Sequence, residues 1–338
     1  MEREEQYRHE RLDRGIKVRT EGIYAVSSWR EMSYLLVPRL VLILGLLVLP
    51  LLMPSAYWQR VISIVCIYAL LTLGFDLLAH FVGLVSLGGA FFVGVGGYLS
   101  AILNVYLGMP IAVSIPVATL VGGIICTLLL VPVLPSRGVY FAIATLMYPL
   151  IFTRLIEALN IFGGTDGIVG VTSWPNPWVE RYLILVILII ALFGIRRLVN
   201  EDFGLLMRGV KDNDQAVKAS GISISRVKAV AVFISSLMGC FGGAYLVHIY
   251  MWSGLSQFAL DFSIIPIAAT VIGGGGTLVG PVLGAFILVP LSEVLREFGT
   301  LRIVVYCVIL VVFIVFKSEG IMVYAERKYH QFQHWVKV

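Results

Sequence analysis

Charge is the scarcest commodity in this chain. Only 13% of its 338 residues are Asp, Glu, Lys or Arg, against about 25% in an ordinary soluble domain. That shortage, beside 59% hydrophobic residues, excludes a soluble domain and points to a membrane protein. Cysteine is nearly absent. Cys66, Cys126, Cys240 and Cys307 each lie singly in an apolar run, which reads as small hydrophobes in helix packing, with no metal spacing and no basis for a disulfide. The glycine run at 273–277, GGGGT, lacks the GK[ST] ending of a phosphate loop and does not follow a strand. Nothing else resembles a nucleotide site, and no nucleic-acid partner is expected. The first 34 residues interleave acidic and basic side chains without an apolar core, so no signal peptide is expected there.

Long apolar runs are what the chain has instead. A bilayer-spanning helix needs roughly 20 mostly apolar residues. Candidate spans fall at 35–53, 61–80, 86–107, 111–134, 139–159, 180–199, 227–250 and 301–317. The stretch 255–298 is about twice that length, and Gly273 to Gly276 interrupt it. It should form two short spans or a re-entrant hairpin. These runs are continuous rather than alternating, which disfavours a β-barrel. The expected fold is all-α, a polytopic membrane helix bundle of about ten transmembrane segments.

Lys and Arg set the expected orientation. Of 25 basic residues, eight lie in the first 39 residues, seven in 196–228 and four from Lys317 onward. All three regions should face the cytoplasm. Six spans separate the first from the second, and an even number must follow, so two crossings within 255–298 are expected. The domains are then a cytosolic extension (1–34), a transmembrane bundle (35–318) with a long loop at 200–228, and a cytosolic tail (319–338).

That loop is the most polar internal stretch, RGVKDNDQAVKASGISISRVK at 208–228. Its spacing suits a short helix through Gln215 to Ala219, capped by Asp212 or Asn213 and stopped at Gly221. Such a helix would lie along the membrane surface and offer small apolar contacts to a partner. The plain alternative is a solvated basic loop that only sets topology.

Four ordered blocks resemble one family. They are GLVSLGGAFFVGVGGYLSAIL (83–103), SRGVYFAIATL (136–146) with GGTDGIVGV (163–171), FGLLMRGVKDNDQAVKASGISISRVKAVAVFISSLMGCFGGAY (203–245) and IGGGGTLVGPVLGA (272–285). Across about residues 60–323 the chain is similar to LivM-type permeases, subunits of bacterial importers powered by ATP-binding cassettes. The resemblance implies a second homologous permease, two ATPase subunits carrying ATP and Mg, a periplasmic binding protein, and no cofactor on this chain. It also implies that Asp212, Asn213, Ala216 and Gly221 couple the chain to an ATPase. Asp166, in the segment between spans five and six, would help dock the binding protein. Three positions depart from the family pattern: Asp76 stands for the usual Asn, His80 for Gly and Gly89 for His.

Glycine makes up 34 of the 338 residues, much of it inside spans. Gly239 and Gly243, Gly280 and Gly284, and Ser86, Ala90 and Gly94 follow small-xxx-small spacing, which lets helix backbones approach closely. Ser86, Gly88, Gly89, Gly94, Gly273, Gly274 and Gly280 are the candidates for the translocation path or for packing alone. Ionisable residues in or near spans are few: Asp76, His80, Arg154, Glu157, His248, Asp261 and Glu293. Asp76 and His80 are spaced i,i+4 and should form a satisfied polar pair, with a proton relay or metal pair as the rival reading. Arg154 and Glu157, spaced i,i+3, should pair as well.

The resulting expectation is a multi-pass permease subunit of the bacterial inner membrane, both termini cytoplasmic, with no active site of its own. Its solute would be branched-chain amino acids by default, with urea, short amides or aromatic acids as alternatives. A membrane enzyme would need catalytic residues clustered at one depth, and only Asp76 and His80 come close. An ion channel or secondary transporter is the remaining class.

Overall fold

The structure, a computed structural model, describes residues 44–48, 50, 51, 53, 55–136, 138–295, 308, 311 and 320–324. The chain divides into two units, residues 1–48 and 49–338. In the first, residues 44–48 are helical. The expected extension 1–34, most of the candidate spans 35–53 and 301–317, most of the tail and Cys307 lie outside the described residues.

The second unit is helical almost throughout. Helix α1 spans Ala56–Asp76 and runs into a π-helical turn, Leu77–Val82. Then follow α2 (Gly89–Val105), α3 (Ile111–Leu130), α4 (Val139–Leu159), α5 (Pro177–Asn200), α6 (Asp202–Ala219) and α7 (Ile224–Tyr250). A 3₁₀ turn, Leu255–Phe258, leads to α8 (Asp261–Gly273) and α9 (Val279–Val294). Two-residue strands β1 (Ile168–Val169) and β2 (Trp252–Ser253) pair antiparallel, Ile168 against Ser253 and Val169 against Trp252.

Local chemistry explains several boundaries. Ser55 Oγ accepts from Trp58 N at the start of α1, and Asn176 Oδ1 accepts from Trp178 N at the start of α5. Pro177 occupies the first position of α5, where its missing N–H leaves no partner unmatched. Among the described residues, six segments are long and apolar enough to cross a membrane, while α2 and α9 are shorter apolar helices. The twin-length stretch 255–298 resolves into α8 and α9, parted at the glycine run.

The core lies along α1, α2 and α7. Of the most apolar window of each helix, 83% is buried in α1 and 67% in α7, but only 22% in α4. Helix α7 packs against α2, α3 and α1, and α9 packs against α8 and α1. Small residues make these approaches possible: a Cβ at Gly243 would strike the Val93 backbone, and one at Gly284 the backbone of Ala269. Such contact replaces the hydrophobic drive that lipid does not supply.

Candidate functional site

Helix α6 lies at one end of α7, and the β1–β2 pair lies at the other. The 27 residues of α7 separate the two ends by about 40 Å at 1.5 Å per residue. Gly204, Met207 and Val210, spaced three apart, are the buried residues of α6, and the rest of its surface is mixed, with the polar 211–215 run beside exposed Leu205, Ala216 and Ala219. The helix is not continuous. Asn213 has φ −155° and ψ 95°, so α6 is two helices that meet at a corner. Asn213 Oδ1 accepts from Gln215 N and Ala216 N, each at 3.1 Å, which is N-cap geometry. Of the two expected caps it is therefore Asn213 that serves, not Asp212. The second helix closes on Gly221, whose φ is +82°. Gly221 N donates to Lys218 O and Ile222 N to Val217 O, the paired bonds of a Schellman stop.

This capped corner is tied to α1. Lys211 Nζ donates to the carbonyl of His80 at 2.8 Å, and the Lys211 side chain packs over Gly83, where the π-helical turn ends. Between the two lies a cavity of 380 Å³, lined by Gly83, Lys211, Asp212, Asn213, Asp214 and Lys228 among others.

One turn back from His80, Asp76 is fully buried. Its Oδ1 accepts from Gly276 N at 2.7 Å, which anchors the glycine run to α1. The expected Asp76–His80 pair is present, but its polar atoms are not all satisfied. His80 Nδ1 lies 2.8 Å from Asp76 Oδ1, yet the approach is off-line and makes no directed hydrogen bond. Asp76 Oδ2 has no partner among the described residues. The carboxylate is turned toward the loop, and the imidazole, 39% exposed, packs on Gly275. No group of three or more His, Cys, Asp or Glu that could hold a metal occurs among the described residues.

A second irregular stretch, residues 83–88, precedes α2. Ser86 and Gly88 therefore stand outside the helix, and the stripe expected through Ser86, Ala90 and Gly94 is broken. The backbone there is satisfied by side chains from two other helices and by Ser86 of the stretch itself. Thr145 Oγ1 accepts from Leu87 N, Ser263 Oγ accepts from Ala90 N, and Ser86 Oγ accepts from Gly88 N. Non-helical backbone at membrane depth survives only with such partners. A Cβ at Gly89 would collide with the carbonyl of Phe262, and one at Gly94 with the Phe258 ring. Ser86 and Gly89 do line a cavity, but of only 20 Å³, room for about one water. Gly273 and Gly280 face each other backbone to backbone across the α8–α9 break. Gly274, with φ +100°, makes the turn between them.

Asp166 lies in the α4–α5 connection, exposed, with its carbonyl accepting from Trp252 Nε1 at 2.9 Å. Arg154 and Glu157 pair at 2.8 Å, as their spacing suggested. His248 is buried, its Nε2 within 3.0 Å of Ser100 Oγ and 3.3 Å of Ser114 Oγ, and its Nδ1 2.8 Å from Thr172 O. Cys126 and Cys240 are not isolated: their sulfurs lie 3.9 Å apart between α3 and α7, both thiols free. Glu293 accepts from the Tyr57 hydroxyl.

Residues 57–316 match a family described as the permease component of branched-chain amino acid transport systems. The chain belongs to that family. It is similar to the high-affinity branched-chain amino acid transport system permease protein LivM of Escherichia coli K12, with 26% identity over 291 residues, 77% of this chain and 68% of the relative. The LivM of Salmonella typhimurium LT2 is 27% identical over 287 residues, 76% of this chain and 68% of the relative. A probable LivM of Methanocaldococcus jannaschii is 26% identical over 214 residues, 59% and 62% of the two chains. No solved structure matches the chain. Membership of this permease family and the apolar helices together make it a multi-pass membrane protein. Sequence reading missed Lys211, Thr145 and Ser263. Lys211 counted only as one basic residue among seven, and Thr145 and Ser263 act on backbone 58 and 173 residues away, a distance no local pattern reports.

Proposed function

We propose that this chain is a permease subunit of an ATP-driven importer for branched-chain amino acids in the bacterial inner membrane. The observation that carries the reading is α6. It is a short amphipathic helix with a cornered, doubly capped tip, bound through Lys211 to the core helix α1. A rigid tip of this kind can pass force to its neighbours, which a hydrated loop could not. Asp212, Asn213, Ala216 and Gly221 would form the surface presented to an ATPase subunit. Two ATPases would hold ATP and Mg, and this chain performs no chemistry. LivM proteins of similar sequence, by name permeases of high-affinity branched-chain amino acid transport, support the choice of solute.

The solute would pass at the interface with a second homologous permease, since the cavity around Ser86 and Gly89 is water-sized, far below the roughly 300 Å³ of a small ligand pocket. The basic residues favour cytoplasmic termini, a cytoplasmic α6 and ten crossings over the 35–318 domain. Asp166, at the opposite end of α7 from α6, would then face a periplasmic binding protein. Purified permeases, ATPases and binding protein reconstituted in proteoliposomes should take up labelled leucine only with ATP. Leucine uptake that persists without the ATPases would overturn this reading.

A further inference from the structure

From the geometry around Asp76 we infer that Asp76, with the π-helical turn and Lys211, is a positioning device that carries motion of α6 into the α8–α9 break. The inference rests on the importer reading above. Each link is a short, directed contact. Lys211 Nζ holds the His80 carbonyl at 2.8 Å, and Asp76 Oδ1 holds Gly276 N at 2.7 Å. His80 and Asp76 sit one turn apart, where the helix hydrogen-bond ladder changes to π spacing, a feature frequent at functional sites. The imidazole of His80 also packs on Gly275, so the turn touches the glycine run twice.

The far end of the relay is held under strain. Gly274, Gly276 and Leu278 have φ of +100°, +81° and +62°, and a left-handed leucine persists only when its surroundings over-determine it. Thr277 Oγ1 donates to Gly274 O and accepts from Gly280 N. With Asp76, this makes the break a stiff knot rather than a slack loop. A displacement of α6 that draws on the His80 carbonyl would therefore turn Asp76 and take the knot with it. Coupling is reciprocal, so a signal arriving through α8 and α9 would reach α6 by the same contacts.

Asp76 and its conservative variant separate this role from simple stability. Asp76→Ala strips Gly276 N of its acceptor, while Asp76→Asn keeps an oxygen there. In the full reconstituted importer, Asp76→Ala should retain basal ATP hydrolysis but lose binding-protein stimulation and leucine uptake about tenfold or more, the scale of a buried charge-assisted hydrogen bond. Asp76→Asn should keep both within about twofold, since neutral hydrogen bonds hold a good part of that strength. Lys211→Ala, a change at an exposed side chain that leaves the core untouched, should reproduce the uncoupling even if Asp76→Ala fails to assemble. Coupled uptake in Lys211→Ala or Asp76→Ala, or an Asp76→Asn as defective as the alanine variant, overturns the proposal. Absence of ATP-dependent uptake in the unmodified complex instead removes the importer reading on which it rests.

Discussion

The carboxylate of Asp76 and the backbone N–H of Gly276 meet at 2.7 Å across 200 residues of sequence. That bond fastens a loop of four successive glycines to the end of the deeply buried helix α1. The same carboxylate oxygen lies 2.8 Å from His80 Nδ1, and the imidazole packs on Gly275.

A methyl group at Gly275 would enter the space of the His80 ring. Gly275→Ala should therefore destabilise the detergent-solubilised protein by about 1–3 kcal/mol, the range for overpacking a filled site. Removing the ring should give the space back. A double-mutant cycle of Gly275→Ala with His80→Gly, followed by thermal unfolding, should show a coupling of at least about 0.5 kcal/mol in the recovering direction. Additive losses would mean that the ring does not occupy the space in question.

Gly221 tests conformation apart from size. A Cβ there would meet nothing within 4 Å, yet φ is +82°. Gly221→Asn should be tolerated, because Asn visits the left-handed region readily, whereas Gly221→Val should cost about 1–2 kcal/mol in the helix stop. Leucine uptake should follow the same order, with valine defective and asparagine near normal while both variants insert into the membrane. Equal uptake by the two variants would show that the stop of α6 plays no part in transport.

The sequence made the spans readable because each apolar run is long and its flanks are polar. The helix tip at 213–221 was equally readable, since Asn, small residues and Gly at those spacings state a cap and a stop locally. The irregular stretch at 83–88 was not, and at 274–278 the glycines announced a break but not what completes it. Their backbone is completed by Thr145, Ser263 and Asp76, whose partners lie far away in sequence. The corner at Asn213 was half legible: helix-compatible spacing across 201–222 and the cap could be foreseen, but not that the chain breaks into two helices at the cap. The pairing of Asp76 with His80 was legible from its i,i+4 spacing, but the third partner, Gly276 N, was not.

The cap at Asn213 should be measurable in isolation from transport. Its side chain takes the N–H groups of Gln215 and Ala216. Asn213→Ala should cost about 1 kcal/mol locally, and Asn213→Ser much less. Hydrogen exchange of the 214–219 amides should then quicken by roughly fivefold in the alanine variant and stay near the unmodified rate in the serine variant, the factor that about 1 kcal/mol gives. Unchanged exchange in Asn213→Ala would show that the corner is held by something other than this cap.

Thr145 offers the cleanest test of how the break before α2 is sustained. Its hydroxyl accepts from Leu87 N at 2.9 Å and donates to Ala142 O at the same distance. Thr145→Val has nearly the same shape but removes the acceptor, leaving a buried amide without a partner at a cost of about 1–3 kcal/mol. Thr145→Ser preserves the oxygen and loses only a methyl, so it should stay within about 1 kcal/mol of the unmodified protein. Unfolding in mild detergent should rank the three proteins with valine clearly lowest. A valine variant as stable as the serine variant would mean that Leu87 N finds another acceptor, and that α4 is not what holds residues 83–88 open.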